Sequence, residues 1–316
     1  MSESIFVTAN HASDMMIENQ LDVTRAVLAE MQRTPDARTK EILESLVTHL
    51  HGFVRDVKLT EREFQNAISL IAELGQRTTP SHNEVMLISG ALGVSNLVCL
   101  INNGAMGTRE TQANNLGPFW RQGSPTVENG GTLLRSPTPG DALFVTGWVR
   151  DERGQPIADA KVDVWHSSTT GLYENQDPSQ AEMNLRGTFT TDANGGFNFR
   201  SVKPAGYPVP IDGPAGKLLA AQKRHNMRPA HLHFLIYKEG FKTIASQVYT
   251  PDDPYLETDS QFGVTKALIG HYVRHDDEAA PAPEVNGMWW SIEHSFTLEP
   301  GESRLPKPPI TGKAIA

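Results

Sequence analysis

Near Asn102 the spacing of apolar residues changes from helical to alternating, and this switch constrains the fold more than any other feature of the chain. Upstream, Leu43, Leu46, Val47, Leu50 and Val54 recur at helical intervals behind a Thr34-Pro35-Asp36 start signal. Thr60 and Glu63 make a capping box before Phe64, Ile68 and Ile71, with Gly75 placed to close that helix. Ser81 and Glu84 repeat the device before an apolar run from Val85, and an earlier helix is predicted over Asp22 to Met31. Four helices are therefore expected in the first hundred residues.

Downstream, Gly and Pro become frequent and short alternating runs take over. Ala142 to Arg150, Lys161 to Trp165, Gly187 to Thr190, Phe197 to Val202, Ala230 to Ile236, Thr243 to Tyr249 and Ser291 to Leu298 read as strands. Asp151 to Gly154 reads as a turn, and Asp192-Ala-Asn-Gly195-Gly196 as a hairpin turn. Ala205 to Asn226 reads as a long Pro- and Gly-rich loop. The expected fold is α+β: a helical region over residues 1–110, then a mixed-topology β-sandwich over residues 111–316.

A formal net charge of -9 argues against a nucleic-acid backbone or an anionic membrane surface as the main partner. Cys99 is the single cysteine, which excludes internal disulfides and a cysteine metal cluster and fits a reducing compartment. Met1-Ser-Glu-Ser carries no basic, apolar leader signal and no apolar run is long enough to span a bilayer, so a cytoplasmic protein without membrane insertion is expected.

The chemistry-bearing residues are Tyr173, Tyr207, His231 and His233. Histidines two apart in a strand point to one face, with Leu232 on the other. Neutral imidazole suits several transition metals, so the pair alone names none. Phenolate is a hard oxygen anion whose free pKa is about 10, and its use as a ligand at neutral pH calls for a strong Lewis acid such as ferric iron. Zinc hydrolysis would need a third histidine or a carboxylate instead. His166 and His225 lie near these residues but have no paired partner.

The flanks of these four residues resemble the intradiol ring-cleavage dioxygenases, the non-haem ferric family that includes the catechol 1,2-dioxygenases. The matching segments are Leu116-Gly-Pro-Phe-Trp120, Asp163-Val-Trp-His166, Gly171-Leu-Tyr173, Leu185-Arg-Gly-Thr-Phe189, Gly206-Tyr-Pro-Val-Pro-Ile-Asp-Gly-Pro214 and Arg228-Pro-Ala-His-Leu-His-Phe234. The resemblance runs in order from about residue 18 to residue 298. It implies one Fe(III) per subunit held by Tyr173, Tyr207, His231 and His233, with Tyr207 the displaceable ligand. It also implies an aromatic diol and O2 as reactants, and a homodimer joined through the N-terminal helices with phospholipid at the interface. Arg228 matches an arginine beside the substrate ring, where a fixed guanidinium stabilises carbanion character during oxygen attack, and Gln247, on the strand after the histidines, is placed to polarise the same intermediate. Substrate-facing positions by the same matching are Leu87, Gly90, Asn115, Leu116, Gly117, Pro118, Phe119, Val209 and Pro210, with Phe262 beside them.

Within the family, the long helical N-terminus and the Asn226-Met-Arg-Pro-Ala-His-Leu-His233 wording look most like the members that cleave hydroxyquinol. The implied reaction converts 1,2,4-trihydroxybenzene to 3-hydroxy-cis,cis-muconate, which tautomerises to maleylacetate. Some hydroxyquinol-cleaving relatives carry an acidic residue where Gly90 stands, which leaves Asn115 to meet the third hydroxyl. Cleavage of catechol or a substituted catechol to a muconate is the alternative. A more distant one comes from Gly147-Trp-Val-Arg-Asp and Gly154 to Trp165, which also resemble non-catalytic transthyretin-like binding modules.

Overall fold

A computed structural model of the chain describes residues 16–103 and 111–313. Met1-Ser-Glu-Ser, and Glu110 at the expected domain boundary, lie outside those residues. The chain separates into two compact units, Met1–Leu70 and Ile71–Ala316.

The helices begin where side chains satisfy the first free N–H groups. α1 (Gln20–Met31) is capped by Asn19 and α2 (Ala37–Asp56) by Asp36, which accepts from Thr39 N–H at 2.7 Å. α3 (Glu61–Arg77) carries the expected box: Thr60 N–H donates to Glu63 at 2.9 Å and Glu63 N–H to Thr60 Oγ1 at 3.3 Å. Gly75 does not close it. Glycine permits a left-handed stop without imposing one, and the helix runs on to Arg77.

Two further expectations are corrected. α4 (Glu84–Ala91) is capped by Asn83, which accepts from Met86 N–H at 2.9 Å, rather than by Ser81. Glu84 is thereby free to reach elsewhere. The apolar run from Val85 is then broken by Gly93, whose φ of 73° suits a residue without Cβ, and α5 (Val94–Asn102) follows. The described region before residue 104 thus holds five helices rather than four.

The sandwich consists of two four-stranded sheets. The first has the order β4 (Gly196–Val202), β1 (Ala142–Asp151), β10 (Trp289–Leu298) and β9 (Tyr272–His275). The second has β3 (Arg186–Thr190), β2 (Lys161–Trp165), β7 (His231–Tyr237) and β8 (Ile244–Tyr249). β1 runs parallel to β10 and the other ladders are antiparallel, which makes the topology mixed. β9 was not anticipated. Asp192 to Gly196 does form a tight turn, but it is no hairpin, because β3 and β4 on either side belong to different sheets. Local turn chemistry reverses the chain without choosing the next partner strand.

Alternate residues of both sheets fill the space between them. Leu143, Val145 and Val149 of β1 meet Val162 and Val164 of β2, Phe197 and Phe199 of β4, and Leu232, Phe234 and Ile236 of β7. Gly147 interrupts the β1 series because a Cβ there would run into the Phe197 ring. Burying these side chains contributes roughly 1.5–3 kcal/mol each. The opposite face of the second sheet is covered as well, so that β7 is buried along nearly its whole length.

The stretch read as a loop, Ala205 to Asn226, contains structure. β5 (Tyr207–Pro208) pairs with β6 (Met227–Arg228), and α6 (Pro214–Ala221) lies between them. Glu84 at the start of α4 accepts from Ala215 N–H at 2.8 Å, placing a carboxylate on the α6 N-terminus.

Candidate metal centre

On β7 the strand alternation sends Leu232, Phe234 and Ile236 into the sandwich core and turns His231 and His233 to the other face. Their Nε2 atoms lie 3.0 Å apart. His231 Nδ1 is 2.7 Å from the Pro229 carbonyl; an Nδ1–H donating to it leaves Nε2 as the lone-pair nitrogen. His233 stacks on Trp165, with ring centroids 4.6 Å apart and planes within 8°. Gly117, at φ 75°, also lies close to the ring: an added Cβ would sit 3.2 Å from His233 Cε1.

Tyr173 and Tyr207 complete the group, their hydroxyls 3.3 Å apart. Tyr173 is fixed by the two residues after it. Glu174 and Asn175 are buried against Arg186, which donates to Glu174 at 2.7 Å and to Asn175 at 3.1 Å, and Arg121 donates to Glu174 at 2.9 Å. Tyr207 is held by the β5–β6 ladder. Gly171, at φ 79°, lets the two tyrosine segments close, since a Cβ there would lie 3.1 Å from Tyr207 Cβ.

Burial, followed by the Arg228 charge, pulls the His231 pKa from 6.5 down to about 3. Burial also depresses His233, helped by His231 and Arg228. Both imidazoles are thus neutral lone-pair donors at physiological pH. Burial and the neighbouring Tyr207 raise the Tyr173 phenol well above its usual range. Only a strong positive charge beside it would bring that oxygen to the anion. Two buried phenols and two neutral imidazoles facing one point therefore fit a hard, highly charged metal ion. Among the described residues no group of three histidine, cysteine or acidic side chains could hold a metal, so the zinc-hydrolase donor set is absent there.

Arg228 borders this group, with Nη1 3.4 Å from both Tyr207 Oη and His231 Nε2. Asp259 accepts from Arg228 Nε and Nη2, each at 3.1 Å, while Tyr249 and the Gln247 Oε1 accept from Nη2 at 3.0 and 3.1 Å. Burial opposes the Arg228 charge, but Asp259, Tyr207 and Tyr249 together outweigh it and raise the guanidinium pKa further. Burial likewise opposes the Asp259 anion, yet Arg228 and two backbone N–H groups keep its pKa low. Gln247 Nε2 donates to the Asn115 carbonyl at 2.8 Å and to its side chain at 3.1 Å, tying this network to the 113–121 loop.

A cleft opens beside Tyr207 and Arg228, lined by Leu87, Gly90, Asn115, Gly117, Pro118 and Val209. Met86, Ser95 and Gln261 also line it, and sequence reasoning singled out none of these three. The remaining expected positions lie around it. Phe119 is buried against Tyr173, at 4.6 Å between centroids, and Leu116 is part of the same apolar cluster. Pro210 follows Val209 and is half-buried. Phe262 is half-exposed beneath the Arg224 guanidinium. His166 is structural: its ring nitrogens meet Ser201 Oγ at 2.6 Å and the Ser167 carbonyl at 2.7 Å. His225 contacts Thr258 at 2.9 Å, away from the group.

A family profile described as "Dioxygenase" matches residues 116–296, and one described as "Catechol dioxygenase N terminus" matches residues 36–109. A hydroxyquinol 1,2-dioxygenase from a Rhizobium strain is 39% identical over 86% of this chain and 92% of its own. The chain belongs to the intradiol ring-cleavage dioxygenase family. A catechol 1,2-dioxygenase from Candida albicans is 35% identical, over 81% of this chain and 85% of its own length. Among solved structures, the hydroxyquinol 1,2-dioxygenase of Pseudomonas putida superposes with a TM-score of 0.80 at 35% identity, covering 89% of this chain and 99% of that one. With intradiol dioxygenases matching both parts of the chain, the alternative of a non-catalytic binding module falls away.

Proposed function

We propose that this intradiol dioxygenase cleaves hydroxyquinol between its adjacent hydroxyl-bearing carbons, incorporating both atoms of O2 to give 3-hydroxy-cis,cis-muconate and thence maleylacetate. The observation that carries the reading is the clustering of Tyr173, Tyr207, His231 and His233 beside a mainly apolar cleft that Tyr207 and Arg228 line. Hydroxyquinol is favoured over other diols because several of the relatives carry that substrate in their names.

Those four residues would hold one non-haem Fe(III) per subunit. Bound ferric iron supplies the Lewis acidity that stabilises phenolate and diolate oxygens and the covalency that makes the aromatic ring reactive towards O2. Held as a phenolate by the metal, Tyr207 Oη, the phenol oxygen nearer Arg228, would accept one of the two diol protons as substrate enters, the other passing to hydroxide. Arg228 stays charged and stabilises negative charge developing on the ring. Gln247 holds the guanidinium and the Asn115 backbone in one arrangement, and through Arg228 it acts on the same developing charge. Leu87, Val209 and Pro118 exclude water from the ring faces.

Residues 1–110 serve as the dimerisation region in this reading. Leu46, Leu50 and Phe53 of α2, Phe64 and Ile68 of α3, and Leu97 and Ile101 of α5 are large, apolar and half-exposed or more. Surface of this kind fits a homodimer contact with phospholipid at the interface. No single described helix is long and apolar enough to cross a membrane, and α4 and α5, which pass that test only together, are bent by 77°. A cytoplasmic setting accords with the single, half-buried Cys99.

Oxygen uptake and product analysis with hydroxyquinol, catechol and substituted catechols test the substrate. Catechol as the preferred diol would make this a catechol 1,2-dioxygenase, the second reading. The purified protein is expected to be red from tyrosinate bound to ferric iron. A colourless protein with stoichiometric zinc would refute the iron assignment.

A further inference from the structure

Among the described residues lining the cleft, Gln261 alone has a buried side-chain nitrogen without a hydrogen-bond partner. The residue is 5% exposed, and its carboxamide occupies the space beside Gly90, where any Cβ would overlap Oε1. Gly90 and Gln261 are therefore interlocked: the missing side chain on α4 is the seat of the amide.

The seat is rigid. Gln261 N–H donates at 3.1 Å to Asp259, the carboxylate that also holds Arg228. Arg224 donates to the Ser260 carbonyl at 2.8 Å, and Asn96 donates to that of Phe262. The amide and the guanidinium thus share one anchor, and both border a cleft whose other walls include Leu87, Pro118 and Val209.

A primary amide offers a donor and an acceptor side by side. Its complement on an aromatic ring is a hydroxyl, which can donate to Oε1 and accept from Nε2; a methyl group or chlorine would leave the buried N–H unpaired. Resting on the diol-cleavage reading above, we propose that Gln261, seated by Gly90, recognises the third hydroxyl of the trihydroxybenzene ring. Gln261 is thereby a specificity residue for the substrate edge away from the metal centre.

The test compares kcat/KM for hydroxyquinol with that for 4-methylcatechol, in which a methyl group replaces the third hydroxyl. The wild-type enzyme is expected to favour hydroxyquinol by about tenfold or more, since a site built to bond a hydroxyl rejects the analogue lacking it. Gln261→Met, of similar length and without the amide, is expected to bring that ratio to within about threefold, chiefly through KM. Gly90→Ala removes no polar group but displaces the amide, and is expected to lower the ratio in the same direction. An unchanged ratio in folded, iron-loaded Gln261→Met overturns the proposal, as does a wild-type enzyme that treats both diols alike. Should Gln261→Met fail to fold, Gln261→Glu, which keeps the size of the side chain and replaces the donor by an acceptor, is expected to lower the ratio in the same direction, and an unchanged ratio there equally overturns the proposal. Failure of the wild-type enzyme to cleave any diol would overturn the diol-cleavage reading instead, so the two failures are distinct.

Discussion

Tyr207 and Arg228 are register partners across the β5–β6 ladder, although 21 positions separate them in the chain. The pairing brings a phenol and a guanidinium to 3.4 Å at the edge of the metal centre, and α6 is folded into the connection between them. What reads as a loop in the sequence is a clasp that sets the distance between proton acceptor and fixed cation.

Tyr207→Phe removes that acceptor while leaving Tyr173. Turnover is expected to fall by about 10²–10⁴-fold, the usual range for a lost general base. Iron should bind more weakly, and the visible band should persist from Tyr173. Oxygen uptake and absorption spectra check both; undiminished turnover would take Tyr207 out of the centre.

Asp259→Asn keeps the shape of the Arg228 anchor and removes its charge. Both partners are almost fully buried, so the variant is expected to lose about 3 kcal/mol of stability in urea titration. Its kcat should drop by about tenfold or more with iron content unchanged. Loss of iron in step with activity would show that the pair supports the ligands rather than the guanidinium.

Gly117→Ala places a methyl group against His233 at a positive φ. The backbone strain is about 1–2 kcal/mol, and displacement of the imidazole adds to it. Iron release to a chelator is expected to be about tenfold faster than from the wild type; an equal rate would mean that the 113–121 loop moves aside without cost.

Acid sensitivity should follow His166, whose pKa burial lowers from 6.5 to about 4. The folded ring stays neutral where the unfolded one is protonated. Its contribution is therefore complete above pH 6.5 and is lost as pH falls towards 4, at about 1.4 kcal/mol per pH unit for one proton. Urea unfolding from neutral pH to about pH 4.5 measures the whole slope, from which His166→Gln should remove about one proton's share while the buried His231 keeps its own.

Strands with clear alternation were legible in the sequence: Lys161 to Trp165 has the same limits in the structure, and β1 and β4 differ from expectation by a single residue. The expected four-residue group around His231 is also brought together, because strand period and local flanks place those side chains. Asp259 and Tyr249 were not legible. Each lies in a stretch that shows no sign of its arginine partner, and only tertiary folding supplies the reason for a buried carboxylate 31 positions from Arg228. Gln261 escaped notice for the same reason, since its meaning depends on a side chain that Gly90 does not have. The Asp192 to Gly196 turn was read correctly as a reversal and wrongly as a hairpin, because sheet membership is decided by the core the next strand joins.

β7 presents its imidazoles from the same few residues that drive Leu232, Phe234 and Ile236 into the sandwich interior. Any loosening of the interior would be transmitted through that shared backbone to the spacing of the two ring nitrogens. Fading of the red colour on warming would then give early warning that the β-layers are coming apart, ahead of any change in helix content.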